Sequence, residues 1–305
     1  MTSGRQGLHM FDDLVVLDWS ASAKPKRGKD SIWIGQAGVA ACAPVNRATR
    51  SAAMADLKQR IADSCNHGRR ILVGADFPFA YPAGFALALT GKDGAMAIWD
   101  WLLAHVQDAD NNANNRFQLA DIINQRFPGT GPFWGRPSGL SLLHLPEKGS
   151  ARTDMPFTER RAVEVLEPGL QPVWKLYTTG SVGSQALLGI ARLAALRKDL
   201  GSLCAVWPFE PIAHAQVVLA EVWPSLLAAD VRAAEGRYPC RDAAQVDLLA
   251  RALAHLAPQD WAEIMPDLGP NAVEEGWILG AGKSPLLRHS LARALTSADQ
   301  INRRV

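Results

Sequence analysis

The chain has 305 residues, enough for one large domain or two small ones with a sizeable core. Hydrophobic residues make up 48% and charged residues 20%, the balance of a soluble globular protein. A formal net charge of +2 is too small to argue for nucleic acid by itself, so any basic footprint has to be local.

Two places could supply that footprint: the 24–29 loop, with Lys24, Lys26, Arg27 and Lys29, and the C-terminal end, with Arg288, Arg293, Arg303 and Arg304. Cys42, Cys65, Cys204 and Cys240 are scattered without a C-x-x-C pair. They read as buried small hydrophobes in a reducing compartment. No apolar run approaches the roughly 20 residues that span a bilayer. The opening MTSGRQGLHMFDD lacks the apolar core of a signal peptide, and a cytoplasmic location is expected.

In chain order, Leu14–Leu17 and Ser31–Gly35 read as two strands joined by a long polar loop. Residues 51–65 have helical spacing through Met54, Leu57 and Ile61. Ile71–Ala75 is a continuous apolar run, as in a strand buried on both faces. Helices are expected at 94–107, 184–198, 242–256 and 285–296, and strands within LCAVWPF (203–209) and QVVLAEVWP (216–224). A hairpin followed by strands alternating with helices predicts an α/β domain with a mixed sheet. Residues 83–200 read as a long helical and loop insertion within a single domain of 1–305.

Three strands carry an acid at or near their C-terminal end: VVLD (Asp18), LVGAD (Asp76) and VVLAE (Glu221). Asp247 follows in DAAQVDLLARALAHL, on a helix face shared with Ala243, Ala250 and Ala254 that could approach a sheet closely. Each acid also has a structural reading. Asp18 could cap its loop, Asp76 could start a turn, and Asp242 could be the N-cap of the helix that carries Asp247. Glu221, inside an apolar run, needs a cationic partner or a metal. Converging carboxylates repel and titrate together, and a divalent cation removes that difficulty. Mg²⁺ or Mn²⁺ held by Asp18, Asp76 and Glu221, with Asp247 or Asp242 completing the set, would suit phosphoryl chemistry. The lysine-rich loop would then face an anionic substrate.

These elements resemble the ribonuclease H-like superfamily, in particular its branch of predicted RNase H-like nucleases. The matching features are Asp18 on the first strand, ADFPF with Asp76, EVWPSLL with Glu221, VDLLARAL with Asp247, and EEGWIL at 274–279. They cover roughly residues 12–40, 70–82 and 203–280. The resemblance implies an RNase H-like mixed sheet flanked by helices, and catalytic, metal-binding roles for Asp18, Asp76, Glu221 and Asp247. The DWSA…DSIWIG opening is also similar to bacterial proteins labelled as cobalamin or molybdopterin-cofactor biosynthesis proteins. One position departs from the pattern. Where RuvC-like members often carry a second acid three residues before the last, this chain has Ala244, and Asp242 is the nearest acid.

Further candidates concern substrate. Ser181, Gly183 and Ser184 precede a helix, where backbone N–H groups could meet an anion; an ordinary turn and cap is the alternative. Asn115, Arg116, Trp134 and Arg136 could recognise a base or ring by stacking and hydrogen bonding, or could form a polar loop pinned by one tryptophan. GAGKSP at 280–285 is not a P-loop, because Trp277 stands where the first glycine belongs. Two functions are therefore expected in competition. The first is a metal-dependent phosphodiester or phosphoryl-group hydrolase acting on nucleic acid or a small phosphorylated molecule. The second is a non-catalytic, ligand-binding accessory protein of cofactor biosynthesis.

Overall fold

The computed structural model describes residues 10–302, with side chains described through residue 296. Arg303, Arg304 and the stretch before Met10 lie outside the described residues. Among the described residues, six strands form one mixed sheet in the order β3-β2-β1-β4-β6-β5. They are β1 (Asp13–Asp18), β2 (Ile32–Gly38), β3 (Cys42–Arg47), β4 (Ile71–Ala75), β5 (Cys204–Val206) and β6 (Val217–Glu221). β1, β2 and β3 are antiparallel neighbours, whereas β4 runs parallel to β1, and β6 runs parallel to both β4 and β5.

The helices are α1 (Arg50–Asn66), α2 (Phe85–Thr90), α3 (Ala95–His105), α4 (Arg116–Asn124), α5 (Ala162–Leu166), α6 (Gly183–Leu200), α7 (Ala228–Ala233), α8 (Arg241–Ala254), α9 (Trp261–Ile264), α10 (Pro270–Glu275) and α11 (Ser284–Asn302). Thr49 starts α1 by accepting the Ala52 N–H on its hydroxyl at 3.2 Å.

The strands alternate between two cores. Val15, Leu17, Ile34, Val73, Ala75 and Leu219 pack with α1, α3 and α6 on one face. Leu14, Val16, Trp33, Leu72, Val218 and Ala220 pack with α8 and α11 on the other. Every strand between the sheet edges is covered on both sides, so its apolar run is unbroken rather than alternating. Residues 83–200 contain α2 through α6 and contribute to the main core. Trp99, Phe133, Trp174 and Leu187 are fully buried in the same core as Val15 and Leu17.

α8 lies against β2. A Cβ at Gly35 would stand 2.5 Å from the Val246 carbonyl, so only glycine allows this approach. The edge strand β3, CAPVNR, is half exposed and contains Pro44, as tolerated at an edge. It escapes a search for apolar runs. The expectation for the cysteines needs correcting: Cys204 is buried, Cys65 and Cys240 are half-buried, and Cys42 is exposed beside the Arg60 guanidinium. All are free thiols. Among the described residues, no helix is long and apolar enough to cross a membrane.

Candidate functional site

β1 and β4 pair in register, Leu17 opposite Ala75, so the next residue of each, Asp18 and Asp76, leaves the sheet on the same side. The Asp76 N–H is bound by the Leu17 carbonyl at 3.1 Å, and the Trp19 N–H donates to Asp76 Oδ1 at 2.7 Å. The two carboxyl groups are close enough to act on one another directly. Burial is the main force raising both pKa values. Asp18, further raised by the charges of Asp76 and Asp242, is held well above the usual carboxylate range. Asp76 is pushed up to about 7, against the pull of the Trp19 amide and of the neighbouring Asp18 carboxyl. A pair of this kind holds a proton between two oxygens that cannot comfortably ionise together.

The third acid at this end is Asp242. Cys240 caps α8, and Asp242 lies in its first turn, where it accepts the Asp30 N–H at 2.6 Å. Burial raises its pKa, opposed by that amide and by the charges of Arg241 and Lys29. The 24–29 loop therefore does reach the acids, but through Lys29 and the Asp30 amide. Lys24, Lys26, Arg27 and Lys29 are all exposed, and two of them are engaged locally: Lys26 with Asp30 at 3.4 Å, and Arg27 with the Asn46 carbonyl at 3.1 Å.

Asp247 is not brought to this group. Five residues along an α-helix amount to a turn of about 140° and a rise of about 7.5 Å, so Asp242 and Asp247 cannot serve one point. Asp247 is buried toward the β3 side of α8, accepting Tyr238 Oη at 2.5 Å and Arg251 Nε at 2.7 Å. It borders a separate cavity of about 590 Å³ that includes Ala43 and Pro44.

Glu221 is not brought there either. It pairs in register with Ala75, one residue before Asp76, so its side chain leaves the opposite face of the sheet. Arg161 clamps it with two hydrogen bonds, Nη2 to Oε1 at 2.7 Å and Nη1 to Oε2 at 2.8 Å, and the Phe79 N–H adds a third at 3.0 Å. Arg161 Nε also binds Glu164 at 2.8 Å. Burial alone would push the Arg161 guanidinium down, but Glu221 and Glu164 outweigh it and raise its pKa. The structural alternative for Glu221, an ion pair, is thus what the geometry contains. Arg161 carries no signal in the sequence beyond being the second of two arginines before a short helix.

The substrate candidates separate as well. Asn115 caps its own loop, accepting the Gln107 N–H and donating to the His105 carbonyl. Arg136 is tied to the Leu140 and Leu145 carbonyls and to Glu147. Trp134 packs under Arg152 and Lys175. Gly183 donates to the Lys175 carbonyl, and a Cβ there would strike the Val173 carbonyl. Arg116, Ser181 and Ser184 instead line one cavity of about 620 Å³, together with Ala21 and Ser22. A smaller cavity of about 200 Å³ adjoins Asp76 and includes Gly180 and Val182.

A hard divalent cation fits this end of the sheet in part. Asp18 and Asp76 give two carboxylates, as many as Mg²⁺ commonly takes from a protein, the rest of its shell being water and substrate oxygen. Among the described residues, no group of three or more His, Cys, Asp or Glu side chains stands close enough to hold a metal ion. Comparison with protein families, curated proteins and solved structures finds no match to this chain.

Two outcomes follow from these contacts. Arg161→Met leaves Glu164 and Glu221 buried without a cation and should cost about 3–5 kcal/mol in chemical denaturation. Glu221→Gln leaves Arg161 paired with Glu164 and should cost only about 1–3 kcal/mol. Equal and negligible costs would show that the clamp does not form. The acid pair has the opposite pH signature from an ordinary carboxylate. Because its folded pKa values are raised, its contribution is fully present below about 4 and is lost as pH rises through about 7. Asp76→Asn should therefore gain in melting temperature relative to the wild type between about pH 5 and about pH 8. A constant difference across that range would mean the carboxyls titrate normally.

Proposed function

We propose that this protein is a metal-dependent phosphodiester or phosphoryl-group hydrolase built on an RNase H-like scaffold, with Asp18 and Asp76 as its catalytic core. One observation carries the reading: two carboxyls meet at adjoining strand ends with both pKa values raised. Strongly perturbed acids at the carboxyl ends of parallel strands are candidates for a functional site. The mixed sheet, antiparallel on one half and parallel on the other, supports the scaffold assignment.

In this reading Asp18 and Asp76, once ionised, would hold Mg²⁺ or Mn²⁺. The cation, when bound, supplies charge neutralisation at phosphorus and activates water. The Trp19 amide fixes the orientation of Asp76, and Asp242, held by the Asp30 amide, adds negative charge that strengthens cation binding. Arg241 and Lys29 temper that charge, and in this reading the exposed Lys29 would meet an anionic substrate. Glu221 and Asp247 act as structural acids through Arg161, and through Tyr238 and Arg251.

The engagement of those two acids also favours a second reading, a non-catalytic ligand-binding protein, since only two carboxylates remain in direct contact with one another. Metal separates the readings. Millimolar Mn²⁺ should raise the melting temperature and support hydrolysis of a generic phosphodiester or phosphomonoester. Asp18→Asn should abolish both while the fold is retained. A melting curve unmoved by Mn²⁺, with no hydrolysis in the wild type, would leave the binding protein.

A further inference from the structure

Arg116 is the arginine of this region that forms no ion pair with a described carboxylate. Arg50 and Arg192 share Asp108, at 2.6 Å and 2.7 Å, and Arg50 also donates to the Ser20 and Ser22 carbonyls, fixing the loop that follows β1. Arg116 has no carboxylate within ion-pair distance among the described residues. Its Nε donates to Ser184 Oγ at 3.0 Å, and its Nη1 donates to Asn114 Oδ1 at 2.8 Å. The Phe117 ring lies 4.3 Å from the guanidinium carbon. Ser184 is itself held, donating to the Leu176 carbonyl at 2.6 Å. The guanidinium is therefore fixed in place, while its Nη2 edge makes no hydrogen bond to any described residue.

Arg116 borders the cavity of about 620 Å³, whose other walls are Ser22, Tyr177, Thr178, Thr179, Ser181 and Gln185 among others. The lining contains hydroxyl groups, one amide and one cation, and no acid. Burial and the charge of Arg50 push the Arg116 pKa down to about 10, outweighing the charges of Asp108 and Tyr177. A guanidinium held without a carboxylate at ion-pair distance, with its Nη2 N–H groups unengaged, is suited to phosphate.

The cavity also has a defined place relative to the acids. Ala21 and Ser22 follow Asp18 by three and four residues. Gln185 donates to the Trp19 carbonyl at 2.7 Å. Loop 177–182 forms a common wall: Gly180 and Val182 line the small cavity beside Asp76, and Thr178, Thr179 and Ser181 line the large one. We propose that the Arg116 cavity binds a phosphate group of a small phosphorylated molecule, on the far side of loop 177–182 from Asp76. Its role as a substrate subsite rests on the hydrolase reading; its affinity for phosphate does not. A small molecule is favoured over a nucleic-acid strand because the cavity has the volume of a nucleotide-sized site and offers a single free cation. A strand would need a track of them.

Calorimetric titration of the whole protein with inorganic phosphate and with a nucleoside monophosphate, in EDTA, tests the site without metal. Arg116→Gln should weaken both by about tenfold or more, and Arg116→Lys should restore part of the loss. Circular dichroism melts establish that the variants remain folded. Equal affinity in wild type and Arg116→Gln, or no saturable phosphate binding in the wild type, would overturn the proposal. Tighter binding of an oligonucleotide than of the monophosphate would overturn the small-molecule assignment. Arg116-dependent phosphate binding without any effect of Mn²⁺ on stability would sink the hydrolase reading and leave this site standing; Mn²⁺ stabilisation without phosphate binding would do the reverse.

Discussion

Parallel pairing of β1 with β4 decides what the acids can do. Because Leu17 lies opposite Ala75, the two chains leave the sheet one residue later with Asp18 and Asp76 side by side. A slip of one residue in either strand would turn one carboxyl into the opposite core and dissolve the pair. The same register, carried on to β6, excludes Glu221, which is opposite Ala75 rather than Asp76. One alternation rule thus joins two acids and dismisses a third, although all three follow similar apolar runs in the sequence.

The helix layer adds a second constraint. Gly35 lets the backbone of α8 rest on β2, which sets the rotation of that helix as well as its distance. With Cys240 as its cap, the first turn carries Asp242 to the sheet end beside Asp30, and Asp247 falls on the flank toward β3. The charge accumulated at the sheet end is then partly balanced by the Trp19 and Asp30 amides and by Arg241 and Lys29. On the other side of loop 177–182 the imbalance has the opposite sign, at Arg116. In the proposed reading, the acids on one side of the loop would take a cation and the guanidinium on the other a phosphate.

Much of this was legible in the sequence. The unbroken run ILVGA bounded by Asp76 identifies a doubly covered strand with an acid at its exit, because periodicity records burial directly. The choice between Asp242 and Asp247 was not legible, since it depends on where α8 is capped and which of its sides meets β2. Arg161, the partner of Glu221, lies 60 residues away in irregular chain, where no spacing announces a contact. Strand β3 was missed because an exposed edge containing Pro44 has neither an apolar run nor clean alternation. Ser181, Ser184 and Arg116 were visible as residue types, but their meeting across one cavity is a tertiary fact.

The central claim is that Asp18 and Asp76 form a proton-sharing pair that a divalent cation can take over. Carbon-13 NMR of the aspartate carboxyls, followed through a pH titration with and without Mg²⁺, addresses it most directly. Without Mg²⁺ the account predicts two carboxyls titrating far above 3.8, Asp76 near 7 and Asp18 also well above the usual range. Saturating Mg²⁺ should pull both down together. Two carboxyls that ionise in the ordinary range, unmoved by Mg²⁺, would contradict it.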